Sequence, residues 1–275
     1  MPDIGAIVDR SHLNTPWVVM WTIAIAIYFA TKIVMWWPHR RGASLWRQVA
    51  FVLMTPGMDA KSFLHGDPPS PPALDEWLAA GLKAVIGFAF VWCIARLFWP
   101  ERPMVAAWIG MVGLALMLHF GLFHLISLAW QAAGFDAEPL MQKPLHSRSL
   151  ADLWGRRWNT GFNAIARELL FEPLTPRIGA VAATGVVFFA SGVIHDVVIS
   201  LPARGGYGLP TLYFMIQFAG LLIERTTGLR RMRRNRFLGW LYVAAVALLP
   251  SPLLFHPPFV KRVIIPFLYA IGGLS

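Results

Sequence analysis

The chain has 275 residues, 57% of them hydrophobic and 14% charged, where soluble domains carry roughly 25% charged residues. With a mean hydropathy of +0.56, this excludes a soluble globular protein and defines an integral, multi-pass membrane protein. The net charge of +10 comes from 19 Arg and 5 Lys against 14 acids, placed in loops between apolar runs. That placement serves the positive-inside rule and contact with anionic membrane lipids, and no nucleic-acid partner is expected.

Six runs approach the ~20 apolar residues a span requires: 16–37, 81–99, 104–130, 177–201, 209–229 and 237–256. The first is too long for the apolar core of a cleaved signal. It ends in a stop-transfer-like Pro38-His39-Arg40-Arg41, so it is expected to remain as a transmembrane helix. Residues 48–56 stop at Pro56-Gly57 and are too short to cross, which predicts a re-entrant or interfacial segment. Gly66-Asp-Pro-Pro-Ser-Pro-Pro72 is a stiff, polyproline-like linker. Cys93 is the single cysteine, so no internal disulfide forms; in its apolar stretch it reads as a buried small hydrophobe. Residues 131–150 form a polar connection, and 260–274 a marginal last helix.

Residues 155–171 read as an amphipathic helix lying along the interface, with Trp158, Phe162, Ile165 and Leu169 as its apolar stripe and Asn159 and Asn163 beside it. Gly205-Gly-Tyr-Gly208 reads as a tight turn, and Glu224-Arg225 as an interhelical ion pair. The fold class is therefore all-α: a polytopic membrane bundle of about six to eight transmembrane helices plus an interfacial helix. Residues 1–275 read as a single membrane domain without internal repeats. Placing Arg40, Arg41 and Arg47, then Arg148, Arg156, Arg157 and Arg167, then Arg230, Arg231, Arg233, Arg234 and Arg236 in the cytoplasm puts the N-terminus outside; Arg96 and Arg102 then fall on the opposite side.

Two polar clusters interrupt this apolar background: Ser149-Leu-Ala-Asp-Leu-Trp-Gly-Arg-Arg-Trp-Asn159 and Ser191-Gly-Val-Ile-His-Asp196. An ionisable residue inside a span is costly and marks a functional site. On a helix Phe188, Ser191 and His195 share a face, whereas Asp196 points about 100° away, towards a neighbouring helix or a wet cavity. Neutral His195 suits a general base that takes a proton from a hydroxyl, and Asn159 a polar donor that positions a reactant. Arg156 and Arg157 suit phosphates, or else mark topology. His119 and His124, five apart, lie on different faces and predict no metal site.

The stretch Pro144-Leu-His-Ser-Arg-Ser-Leu-Ala-Asp-Leu-Trp-Gly-Arg-Arg-Trp-Asn159 resembles a signature of the membrane-bound O-acyltransferases, in their wax synthase-like branch. Phe189-Ala-Ser-Gly-Val-Ile-His-Asp196 is similar to the second signature, a Ser-Gly-x-x-His-acid stretch; plant members often carry Glu where Asp196 stands. The resemblance covers roughly 140–230, and the family usually has more spans than are found here. It implies acyl transfer from acyl-CoA, a co-substrate with no resident cofactor, to the hydroxyl of a lipophilic acceptor. His195 would be the catalytic histidine and Asn159 the second signature residue. Trp154, Arg156, Arg157, Trp158, Asn163, Ser191 and Asp196 are the expected substrate-binding set. Other acceptors (a diacylglycerol, a sterol, a polysaccharide, a specialised metabolite), an inactive homologue, and a small transporter with a His195/Asp196 proton relay are the competing readings. Arg and Ala usage points to a bacterial inner (cell) membrane.

Overall fold

The computed structural model describes residues 16–226, 228 and 235–274, and every regular element among them is helical. Five helices are long and apolar enough to cross a membrane: α1 (Pro16–His39), α4 (Leu74–Phe98), α5 (Pro103–Ala132), α6 (Thr160–Ala203) and α8 (Arg236–Leu254). Shorter ones join them: α2 (Leu45–Met54), α3 (Ala60–His65), α7 (Leu209–Ile223) and a last helix, α9 (Pro257–Ala270), near the expected 260–274. The protein is an all-α polytopic membrane bundle.

Several boundaries differ from the sequence expectation, each for a local reason. The run predicted at 209–229 gives only the 15 residues of α7, roughly 22 Å of helix against a hydrocarbon core of about 30 Å. The chain turns at Glu224, and Arg230, Arg231, Arg233 and Arg234 lie outside the described residues. The predicted interfacial helix does not begin at 155. Leu153–Arg157 form a π turn, Trp158 is extended and Asn159 is left-handed, so the helix starts at Thr160. It then runs on into the next predicted span, and Gly179, at φ 79°, breaks it between an outer arm and the crossing segment. Cys93 is exposed on α4 rather than buried.

α2 is the predicted short segment. Ser44 caps its start by accepting from the Arg47 amide at 3.3 Å, and Asp59 caps α3 by accepting from Ser62 at 2.9 Å. Phe51 and Thr55, at the end of α2, are buried, and carbonyls there are met by internal donors. Side chains supply them. Lys32 Nζ donates to Phe51 O at 2.9 Å and to Gly57 O, Trp130 Nε1 to Met54 O at 3.1 Å, and Tyr28 Oη to Thr55 O at 2.7 Å.

One face of the bundle gathers the end of α1, the α2–α3 hairpin and the start of α6, with His39 Nε2 3.2 Å from Glu168. Arg40, Arg41 and Arg47 follow α1 and begin α2, and Arg156, Arg157 and Arg167 flank the start of α6, so they gather at this same face. At other helix ends, Arg96 donates to Gly272 O, and Arg262 to Ala203 O at 3.0 Å and Arg204 O at 3.1 Å.

Two contacts set the frame of the site. Gly192 of α6 meets the α7 backbone so closely that a Cβ there would lie 2.6 Å from Thr211 Cα. Glu224, 2% exposed, accepts from the Leu150 amide at 2.7 Å and the Ala151 amide at 3.1 Å, fastening the end of α7 to the first polar cluster. Glu224→Leu leaves both amides without that carboxylate, and thermal unfolding in detergent should report a loss of roughly 2–4 kcal/mol.

Candidate active site

A cavity of about 700 Å³ opens between the α2–α3 hairpin, residues 136–142, the 151–171 stretch, α6 and α7. That size lies within the range of small-molecule sites. Of the expected residues, Trp154, Arg156, Trp158, Asn159, Asn163, Ser191 and His195 line it. Arg157 and Asp196 do not.

His195 is half-buried on the crossing part of α6. Its Nδ1 lies 2.7 Å from the Ser191 carbonyl oxygen. A carbonyl can only accept, so Nδ1 is the donor; in the neutral ring Nε2 then keeps a lone pair, with no partner among the described residues. The ring rests 4.5 Å from the Phe214 ring, which helps to fix its plane. Thr184 also lines the cavity, and about 16 Å of helix separates it from His195. The cavity wall therefore extends along several turns of α6, with His195 towards one end.

Asn159 occupies the opposite side through an unusual backbone. At φ 49° and ψ 65° it is left-handed, a conformation Asn tolerates better than most residues. Its Oδ1 accepts from the Phe162 amide at 3.1 Å, capping α6. The Nδ2 donor has no hydrogen-bond partner among the described residues. Asn163 Nδ2 donates to Trp158 O at 3.1 Å, stabilising the same turn. π turns stand directly before Trp158 and directly after His195, at Leu153–Arg157 and Asp196–Ser200, a helical irregularity common at functional sites.

The two expected binders that leave the cavity have other partners. Arg157 Nε donates to Asp152 at 2.6 Å, and its Nη1 to Gln142 O at 3.3 Å, bracing the 142–143 loop. Arg156 also pairs with Asp152, at 2.9 Å, but remains largely exposed at the mouth. Asp196 accepts from Ser200 Oγ at 2.8 Å, Gly208 N at 2.8 Å, Thr211 N at 3.1 Å and Thr211 Oγ1. It thereby closes the N-terminus of α7, whose first amides lack intrahelical partners, and turns away from His195.

Sequence reasoning missed the remaining wall. Phe51, Thr55, Gly57, Met58 and Asp59 come from the α2–α3 hairpin, Asp136 and Glu138 from the polar connection, and Arg225 from the end of α7. Arg156, Arg167 and Arg225 thus share the lining with Asp59, Asp136 and Glu138. Burial, helped by the negative charge of Asp59, pushes the Asp136 carboxyl above its usual 3.8. Because its folded pKa is raised, Asp136 costs stability at pH values above that point, and the cost disappears as pH falls towards 3.8. Asp136→Asn is expected to raise the unfolding temperature at pH 7, with the gain shrinking in acid.

Residues 137–216 match the family model described as "Membrane bound O-acyl transferase family". Over 145 residues the chain is 29% identical to probable long-chain-alcohol O-fatty-acyltransferase 7 of Arabidopsis thaliana, covering 47% of this chain and 42% of that protein. It is 33% identical over 76 residues to acyl-CoA–sterol O-acyltransferase 1 of the same plant, covering 25% and 22% of the two chains. Probable long-chain-alcohol O-fatty-acyltransferase 9, also from Arabidopsis thaliana, is 28% identical over 144 residues, or 47% and 42%. The chain spans less than half the length of these relatives. Both polar clusters, with Asn159 and His195, lie inside the matched region, so this part of the chain is similar to the membrane-bound O-acyltransferases.

Proposed function

We propose that this protein transfers an acyl group from acyl-CoA to the hydroxyl of a lipophilic acceptor, with a long-chain alcohol giving a wax ester and free CoA. The observation that carries this reading is His195. Its Nδ1 proton is committed to Ser191 O, which leaves a basic Nε2 on a residue that lines a cavity also lined by Asn159. The alcohol oxygen attacks the thioester carbonyl as Nε2 takes its proton. The C–O bond forms, the C–S bond breaks, and the proton passes to the CoA sulfur. Asn159 Nδ2 holds the acyl carbonyl as charge develops on it. No acyl-enzyme is needed, so Ser191 serves through its carbonyl.

The mouth suits the rest of the donor. Arg156, Arg167 and Arg225 take the CoA phosphates at the arginine-rich face, which we assign to the cytoplasm. Asp59, Asp136 and Glu138 repel the same phosphates and so favour one entry route. The four hydrogen bonds that occupy Asp196 argue against a His195/Asp196 proton relay. We place the protein in a bacterial cell membrane on its Arg and Ala usage.

The acceptor is tested by incubating purified protein with palmitoyl-CoA and, separately, hexadecanol, a sterol and a diacylglycerol, with products identified by mass spectrometry. Wax ester is the expected main product. Sterol ester or triacylglycerol in its place would move the acceptor assignment while keeping the chemistry.

A further inference from the structure

Lys32 is 0% exposed inside the long apolar helix α1, seven residues before its end at His39, where an ionisable group is costly. It has no carboxylate partner among the described residues. Its Nζ lies 3.9 Å from the centre of the Phe51 ring and donates to the carbonyls of Phe51 and Gly57, either side of the α2 C-terminus. The second bond places Gly57, and with it Met58. Both residues line the cavity. Met58 packs on the first turn of α6: a Cβ on Gly161 would lie 3.3 Å from Met58 Cγ and 3.6 Å from Asn159 Oδ1. A continuous path therefore runs from Lys32 through Gly57 and Met58 to the left-handed turn that aims Asn159.

We propose that Lys32 is a positioning residue for acyl transfer, acting through the α2–α3 hairpin to hold the Asn159 amide in place. The catalytic part of this inference rests on the function proposed above; the mechanical coupling does not. Small misplacements of positioned groups cost up to 100-fold in rate, so Lys32→Met should lower kcat roughly 10- to 100-fold. KM for acyl-CoA should move by less than about threefold, because the arginines at the mouth are untouched.

The discriminating comparison uses Asn159→Ser, which keeps a capping oxygen but removes the amide donor. If Lys32 acts through Asn159, adding Lys32→Met to Asn159→Ser should cost less than about threefold more. Losses that multiply in full would overturn the inference. Amide hydrogen exchange supplies a readout independent of activity. The Phe162 amide, bonded to Asn159 Oδ1, should exchange faster in Lys32→Met while amides of 181–190 are unchanged. Should Lys32→Met not fold, Met58→Ala breaks the same path without touching a buried amine, and the same local exchange is expected. Unchanged exchange at Phe162 in a folded variant refutes the coupling. Absence of ester formation in the wild-type protein, with the exchange effect present, refutes the acyl-transfer reading and leaves the coupling standing.

Discussion

His195→Gln is expected to lower turnover by about 10³-fold or more, within or beyond the 10²–10⁴ that a positioned acid–base group contributes. Glutamine is close to histidine in size and keeps a donor for Ser191 O, the bond that holds the ring in place. It offers no basic nitrogen, so the alcohol proton has nowhere to go. The substitution should leave the arginine-lined mouth and the bundle unaltered. Acyl-CoA binding, measured by calorimetry in detergent, should stay within a few-fold of wild type, and a matching loss of binding and turnover would show that His195 is structural.

Asn159 separates into two roles that different substitutions resolve. Asn159→Ala removes the Nδ2 donor, the Oδ1 cap and the side chain that tolerates the left-handed backbone. Asn159→Ser keeps a capping oxygen. If Nδ2 stabilises the developing oxyanion, both variants lose roughly 10²-fold in kcat, the usual effect of deleting one such donor. Only Ala should also lose stability, by about 1 kcal/mol for the cap. Comparing kcat with thermal unfolding for the pair distinguishes the roles. Full activity in the serine variant would reduce Asn159 to a helix cap.

How much could be read in advance depended on whether the relevant interaction was local. The Ser191–His195 pairing and the divergence of Asp196 follow from 3.6 residues per turn, and the structure places Asp196 on the neighbouring helix start. The start of α6 was misplaced because periodicity was extended through Trp158 and Asn159. The signal was present: Asn is favoured both as a helix cap and in the left-handed region, so Asn159-Thr-Gly marks a start at 160. Arg157 could not be separated from Arg156, since only tertiary contact shows that Asp152 and the 142–143 carbonyls engage it. Lys32 was overlooked although it obeys the rule that singled out His195, an ionisable group inside a span. Its partners, Phe51 and Gly57, are 19 and 25 residues away on an element whose fold-back no local pattern specifies. The same non-locality hid the hairpin wall of the cavity and the Glu224 bonds to Leu150 and Ala151.

The most direct measurement is the stoichiometry of purified protein given radiolabelled palmitoyl-CoA with and without hexadecanol, beside His195→Gln. The account predicts one ester per CoA released, release only when alcohol is present, and neither product from the variant. CoA release without alcohol would identify a thioesterase, and ester formation that survives in His195→Gln would contradict His195 as the base.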